Sequence, residues 1–472
     1  MKLTAEEIAT ATQAQRLDAS ASIVPLGYSI DSRTLVAGEC FIAIQGPNFD
    51  GHEFIGAALK QGAALVIARA DTESPIEPDW PVIRVDDTLL ALQRLANFTR
   101  RKWGKTVIAI TGSTGKTTTK EMTSLLLQAH FRVFKSVGNF NNDFGLPLSI
   151  LKLANEHEVA VLELGMSRAG EIQRLSRIAE PNIGVVTNVR PVHLENFQSM
   201  QGIALAKREL IESLPADGVA VLNNDDRRVR KFGRVFPGKV LTFGVEAAAA
   251  YRASEIRSLG LEGQEFRLDH KAQGHRLQLP LIGEHNVHNV LPAIAVAHHL
   301  GVGFETIGQS LRALKPAPGR GELFRFHDGF TVLNDSYNSN PAAMDAVIAF
   351  LKTLTGFKRK ILVAGEMLEL GPEAEQFHRD CGKLAATARI DRIVGVRGLA
   401  ESITRAAQEQ GRAPAETPFF PDSTAAGEWL TREVKDGDFI VVKGSRGVRT
   451  EKVIEIIRRD HALGELRHNA GT

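Results

Sequence analysis

The stretch AITGSTGKTTTKE, Ala109 to Glu121, decides how the chain is read. It begins at the end of a β-branched run, KTVIAI, and leads into KTTTKEMTSLLLQA, whose apolar residues recur at helical spacing. Its glycines therefore sit between a strand and a helix. There they let the backbone approach a phosphate, while the helix start supplies free N–H groups and a partial positive charge. The usual phosphate loop, G-x-x-x-x-G-K-[ST], has four residues between its glycines. Here only Ser113 and Thr114 separate Gly112 from Gly115-Lys116-Thr117. Read as a shortened phosphate loop, the stretch brings Lys116 to the β- and γ-phosphates and Thr117 or Thr118 to an accompanying Mg2+. The plain alternative is a strand-to-helix turn with a surface lysine.

Around this loop the pattern is α/β throughout. Before it, short strands (ECFIAIQG, AALVIAR, PVIRV) alternate with helices (HEFIGAALKQG, TLLALQRLANFTRRKW), giving a small α/β domain over residues 1–103. After it, VAVLELG, NIGVVTNV and GVAVLNND are nearly continuous apolar runs, as expected of parallel strands buried on both faces. Residues 250–282 alternate more and carry glycines, so antiparallel strands at one edge are expected. The Pro- and Gly-rich KPAPGRGE ends this central domain, 104–316. FTVLNDS, KRKILVAGE, RIVGV and DFIVVKGS then alternate with helices in a third α/β domain, 317–472.

Composition removes several classes. Against 57 Lys and Arg stand 55 Asp and Glu, a net charge of +2 that leaves no footprint for nucleic acid or an anionic membrane. Cys40 and Cys381 are too far apart to form a metal or redox motif, and a reduced, cytoplasmic setting is expected. MKLTAEEIAT has no apolar leader and reads as a helix start, with Thr4 and Glu7 spaced as a capping box. No apolar run reaches the roughly 18 residues of a membrane span.

Further polar residues fall where strands end. Glu163 closes VAVLELG, at the strand tip where open α/β sheets bind ligands, and a carboxylate there suits Mg2+. A capping glutamate is the alternative. Asn188 and His193 follow the next strand in TNVRPVHLENF; a hydrogen-bonded loop histidine is the plainer reading. Lys207 lies in SMQGIALAKRELIESL, an amphipathic helix on which spacing alone suggests a solvated lysine. His285, Asn286, His288 and Asn289 open another helix, as N-capping groups or as amides reading a base edge. His298 and His299 lack metal-ligand spacing and read as structural. Asp335 ends the strand before NDSYNSNPAAMDAV, and KGSRG, 443–447, repeats that geometry in the last strand; turn chemistry accounts for either.

Taken together, these segments resemble the Mur ligases, the ATP-dependent amide-forming enzymes of peptidoglycan precursor synthesis. The family's short loop, T-G-[ST]-x-G-K-[ST]-[ST], is similar to Thr111-Gly112-Ser113-Thr114-Gly115-Lys116-Thr117-Thr118. The resemblance runs in order through all three domains. IDSRTLVAGECFIAIQGPNFDGHEFI resembles the nucleotide-sugar domain of the members that act on longer peptide stems. NDSYNSNP, AGEMLELG and VVKGSRG resemble the member that adds D-alanyl-D-alanine.

The resemblance implies three domains: an N-terminal UDP-MurNAc-peptide-binding domain, a central ATPase domain and a C-terminal, Rossmann-like ligase domain. It implies ATP and Mg2+, with UDP-MurNAc-tripeptide and D-alanyl-D-alanine as partners, no nucleic acid, no membrane insertion and a monomer. By the same resemblance Gly112, Ser113, Thr114, Gly115, Lys116, Thr117 and Thr118 hold phosphate. Glu163, His193 and Thr117 hold Mg2+, and Lys207 becomes a carbamate at the metal. Asn289, Arg320 and Asp335 contact ATP. Ser32, Arg33, Asp50, Gly51 and His52 meet the uridine nucleotide. Asn139, Asn141 and Asn142 in GNFNNDFG, with Tyr337 and Asn338, lie by the peptide substrates. The carbamate has a physical motive. Two unit charges about 4 Å apart interact by about 4 kcal/mol at an effective dielectric near 20, so an ammonium facing Mg2+ is repelled, whereas a carbamate is attracted. Two other readings share these features. A folate polyglutamylating ligase usually has an Asp-Gly-Ala-His-Asn-Pro segment in place of DSYNSNP. A non-enzymatic nucleotide-binding scaffold would release no ADP.

Overall fold

The computed structural model describes residues 1–464 except 47–48, 73–75, 78, 139, 192–194 and 198. By internal contacts the chain divides into two compact units, the first Met1–Val189, Gln201–Tyr251 and Val290–Ile307, the second Arg190–Met200, Arg252–Asn289 and Gly308–Thr472.

The first unit holds two sheets. The chain opens with the expected capping box: Thr4 accepts from Glu7 N–H while the Glu7 carboxylate accepts from Thr4 N–H, starting the helix Ala5–Thr12. The N-terminal sheet runs Arg16–Asp18, Val82–Val85, Leu65–Arg69, Cys40–Ile42, Tyr28–Ser29, antiparallel only in its first pair. Its core gathers Leu35, Phe41, Ile55, Ala58, Val66 and Val82. Asp87 caps the long helix Thr88–Trp103, and Gly104 ends it with φ +69, a left-handed conformation that glycine adopts without strain.

The second sheet of this unit is parallel: Lys239–Gly244, Val219–Asn223, Ile183–Val186, Thr106–Thr111, Val159–Glu163, Val133–Lys135. From Thr106–Thr111 the chain travels to one side, to Val133–Lys135 and Val159–Glu163, and then crosses to Ile183–Val186 on the other. That reversal opens a crevice beyond the carboxyl ends of the central strands, the place where such sheets bind ligands. Ile110 pairs with Glu163 and Thr111 with Val186, so the three tips end side by side.

The strands Tyr251–Ser258, Gln264–His270 and Gln273–Leu279, in the second unit from Arg252 on, pair antiparallel as expected from their alternating pattern. The C-terminal sheet runs Glu322–Arg325, Thr331–Asp335, Asp438–Lys443, Arg359–Gly365, Arg392–Val396, Phe419–Phe420, with only the first pair antiparallel. Alternate residues of one strand enter opposite cores. Leu362 and Ala364 face a cluster with Met344, Ile348 and Leu351, while Ile361 and Val363 face one with Leu430, Val453 and Ile457. Burying each such aliphatic side chain contributes about 1.5–3 kcal/mol, which is why these strands read as unbroken apolar runs. The last strand returns between Thr331–Asp335 and Arg359–Gly365, making a second switch point at the tips of Asp335, Lys443 and Gly365.

Candidate active site

The phosphate loop is shaped by two glycines. Gly112 has φ +153, and a Cβ there would lie 1.8 Å from Thr187 Oγ1. Gly115 has φ +80, and the helix Lys116–Leu127 starts directly after it. The shortened loop is braced from the neighbouring strand tip. Thr114 N–H donates to Asn188 Oδ1 (3.0 Å), Asn188 Nδ2 donates to Thr114 Oγ1 (3.0 Å), and Thr187 Oγ1 donates to the Thr114 carbonyl (2.7 Å). Ser113 N–H donates to the Asn188 carbonyl (3.0 Å). Lys116 folds back over the loop, its Nζ donating to the Gly112 carbonyl at 3.0 Å.

Glu163 is buried at the adjacent tip, 3% exposed. Its carboxylate accepts from Thr117 Oγ1 (2.7 Å) and from Asn141 Nδ2 (2.8 Å), and its backbone N–H donates to Ser136 Oγ (3.2 Å). Of the two loop threonines, Thr117 is the one joined to the carboxylate. These are hard oxygen donors, and Mg2+ typically takes one or two carboxylates with phosphate and water completing its shell. The donor set fits that ion. Among the described residues no group of three or more His, Cys, Asp or Glu gathers as a metal site.

Lys207 lies on the helix Met200–Glu212 and is 2% exposed, not the solvated lysine that helical spacing allows. Burial pushes its amine well below the usual ammonium range, and the Lys116 charge pushes the same way. The helix is held two residues on, where the Glu209 carboxylate accepts from Gly170 N–H (2.8 Å) and Gln173 N–H (2.9 Å) at the start of the helix Glu171–Ala179.

In the second unit, Asp335 and Lys443 are cross-strand partners joined by a 2.6 Å ion pair, and Lys443 Nζ also donates to the Asn338 carbonyl (3.0 Å). The Arg320 guanidinium lies 4.0 Å from the centroid of the Tyr337 ring, with Arg446 at 5.7 Å. Asn286 Nδ2 donates to the Ile282 carbonyl (2.9 Å), and Asn289 Nδ2 to Asn286 Oδ1 (3.2 Å).

The N-terminal candidates sit on two turns. Arg33 grips Asp31 with two hydrogen bonds, 2.9 and 2.7 Å, which pull the Asp31 carboxyl down to about 2. Ser32 is half-buried on the same turn. Asp50 accepts from His52 N–H (3.0 Å), and a Cβ on Gly51 would lie 2.7 Å from the Ile44 backbone. The His52 ring is buried: Nε2 accepts from Arg69 N–H (3.0 Å), so Nδ1 carries the proton and donates to Asp50 (2.5 Å). With both nitrogens engaged, the ring supports the turn. Asn142 Oδ1 accepts from Gly145 N–H (2.8 Å), the first residue of the helix Gly145–Ile150. Asn139 and His193 lie outside the described residues.

Two contributors escaped the sequence reading. Lys120 is fully buried, and Ser136 meets Glu163 through its hydroxyl. His298, read as structural, is so: Nδ1 is 2.9 Å from Tyr251 Oη and the ring stacks on Phe304 at 4.2 Å.

Residues 27–100 match the family model for the Mur ligase family catalytic domain, 110–297 the Mur ligase middle domain, and 319–446 the Mur ligase glutamate ligase domain. The UDP-N-acetylmuramoyl-tripeptide--D-alanyl-D-alanine ligase of Bacillus subtilis is 36% identical over 91% of this chain and 92% of its own length. Its counterpart from Escherichia coli is 34% identical over 91% and 93%. A crystal structure of MurF from Acinetobacter baumannii superposes with a TM-score of 0.87 at 30% identity, covering 97% of this chain and 99% of that one. MurF from Thermotoga maritima in complex with ADP gives 0.80 at 30%, covering 92% and 97%.

Proposed function

The chain belongs to the Mur ligase family, and from that premise we propose how its residues carry out the family's chemistry. It is a ligase that uses ATP to join D-alanyl-D-alanine to UDP-MurNAc-tripeptide, a step in peptidoglycan precursor synthesis. Among the described residues no helix is long and apolar enough to cross a membrane. The observation that carries the mechanistic reading is the contact between Thr117 and Glu163 beside Lys116, which sets oxygen donors and a cation around one phosphate-binding loop.

A carboxylate does not condense with an amine at neutral pH. The γ-phosphoryl group of ATP is therefore transferred to the tripeptide carboxylate, giving an acyl phosphate and ADP. The dipeptide amine attacks the acyl carbon, the bond to phosphate breaks, and amide, phosphate and a proton leave. The protein contributes position and charge. Loop N–H groups and Lys116 hold the phosphates. Thr117 and Glu163, with His193, would hold Mg2+, which when bound neutralises phosphate charge. Asn289, Arg320 and Asp335 contact ATP, and the N-terminal turns at Ser32–Arg33 and Asp50–Gly51 take the uridine nucleotide. Lys207 takes up CO2: its neutral amine, the form burial favours, adds to carbon and loses a proton to become a carbamate. That anion would supply oxygen donors to a bound Mg2+.

ADP release measured with UDP-MurNAc-tripeptide, with and without D-alanyl-D-alanine, tests the reading. Release that needs both is expected. Release driven equally well by a folate and glutamate, or none at all, would overturn it.

A further inference from the structure

Lys120 is a lysine with no surface: its side chain is 0% exposed on the helix Lys116–Leu127, where Thr123 and Ser124, three and four residues on, are buried too. Burying an ammonium is costly unless it is paired and hydrogen-bonded, and an aliphatic side chain would pack there without that cost. The cation therefore has a use specific to its partners. Its Nζ donates to the Ser136 carbonyl (2.7 Å), reaches the Gly138 carbonyl (3.5 Å), and lies 3.3 Å from a carboxylate oxygen of Glu121. Glu121 in turn pairs with Lys135.

These carbonyls belong to the irregular segment that follows the strand Val133–Lys135. The same segment contacts Glu163 twice. Ser136 Oγ accepts from Glu163 N–H, and Asn141 Nδ2 donates to Glu163 Oε1. It is also fixed to the far side of that tip, where Gly165 N–H donates to the Asn141 carbonyl (2.8 Å). One turn of helix after Lys116, Lys120 thus ties the phosphate helix to the segment that aims Glu163.

We propose that Lys120 is a positioning residue for the cation of the reaction: through the Ser136 and Gly138 carbonyls it fixes Ser136 where it meets Glu163, so that the Glu163 carboxylate faces Thr117. This rests on the reading of Glu163 as a Mg2+ ligand. A lysine that merely joins helix to loop would change stability alone; one that positions Glu163 changes how strongly Mg2+ assists nucleotide binding.

The test is ADP affinity by calorimetry, in Mg2+ and in EDTA, on the full chain, for wild type and Lys120→Met. Removing a direct partner of a metal ligand typically costs about 10–100-fold in metal affinity; Lys120 acts one contact further out, through Ser136, so Lys120→Met should lose about tenfold, the low end of that range, from Mg2+-assisted binding. Metal-free ADP should bind as in wild type, because the loop N–H groups and Lys116 are untouched. If Mg2+ fails to tighten ADP binding in wild type, the metal reading of Glu163 falls. If Mg2+ tightens it equally in both proteins, or Lys120→Met weakens both forms alike, the positioning role falls by itself. Should Lys120→Met not fold, Lys120→Gln keeps one donor without the charge. It is expected to lose part of the Mg2+ gain, and a full gain there overturns the proposal.

Discussion

The charge of Lys116, at the start of the helix Lys116–Leu127, opposes a charge on the buried Lys207 amine. Burial acts in the same direction and more strongly. A neutral amine is the nucleophile that CO2 requires, so an environment that disfavours the ammonium suits the carbamate proposed for Lys207.

Lys207→Ala should therefore be nearly inactive, with turnover down by about a hundredfold or more, the scale of losing one preorganised charge-stabilising group. Short carboxylic acids should restore part of the rate by returning an oxygen donor to the vacated space, and chloride should not. Wild-type turnover in the variant without added acid would refute the carbamate.

Lys116→Met removes the cation folded over the loop while leaving Gly112, Gly115 and the bracing from Thr187 and Asn188 intact. The fold should persist, with unchanged circular dichroism, and kcat/KM for ATP should fall about a thousandfold. A folded variant with near-normal ADP release would exclude the phosphate-loop role.

Asp335→Ala leaves the Lys443 ammonium, 4% exposed, without its 2.6 Å partner. A loss of about 2–3 kcal/mol in urea unfolding is expected, and Asp335→Ala/Lys443→Met should recover much of it, because the cost lies in the stranded charge. Equal destabilisation of the single and double variants would contradict this account.

His378 is fully buried on the helix Ala374–Thr387; its Nε2 accepts from Met367 N–H (2.9 Å) and Nδ1 donates to the Ala374 carbonyl (2.6 Å). Burial lowers its pKa below the usual value. As pH falls below about 6.5 the unfolded chain takes the proton first, so stability drops through that window and is fully present above it. Met367 amide exchange, corrected for its intrinsic pH dependence, should quicken at pH 5.5 relative to 7.5. In His378→Gln, which does not titrate, that change should vanish; an identical pH response in the variant would rule out His378 as its source.

The sequence made the strand-loop-helix around Lys116 legible because glycine spacing and hydrophobic period are local properties. Glu163 was legible as a strand tip, yet its partner Ser136 lies 27 residues earlier in the chain, and no local pattern joins them. Lys207 and Lys120 show the limit most clearly. On helical spacing Lys207 reads as an ordinary solvated lysine and Lys120 carries no signal, yet both are buried, because the face a helix presents is set by what packs on it. Resemblance pointed to Lys207 and left Lys120 unnoticed. The alternating pattern of 250–282 gave the antiparallel strands correctly, since one face of each buries and the other does not.

Where Gly112 faces Thr187 there is no room for a methyl group, and the Thr187 hydroxyl and Asn188 amide close the remaining gap. The phosphate loop cannot open alone. Amides of Ser113 and Thr114 should exchange with solvent at the same rate as those around Thr187, as one cooperative unit whose opening also unseats the strand Ile183–Val186. A nucleotide that protects the loop therefore protects the neighbouring strand end, even without touching it.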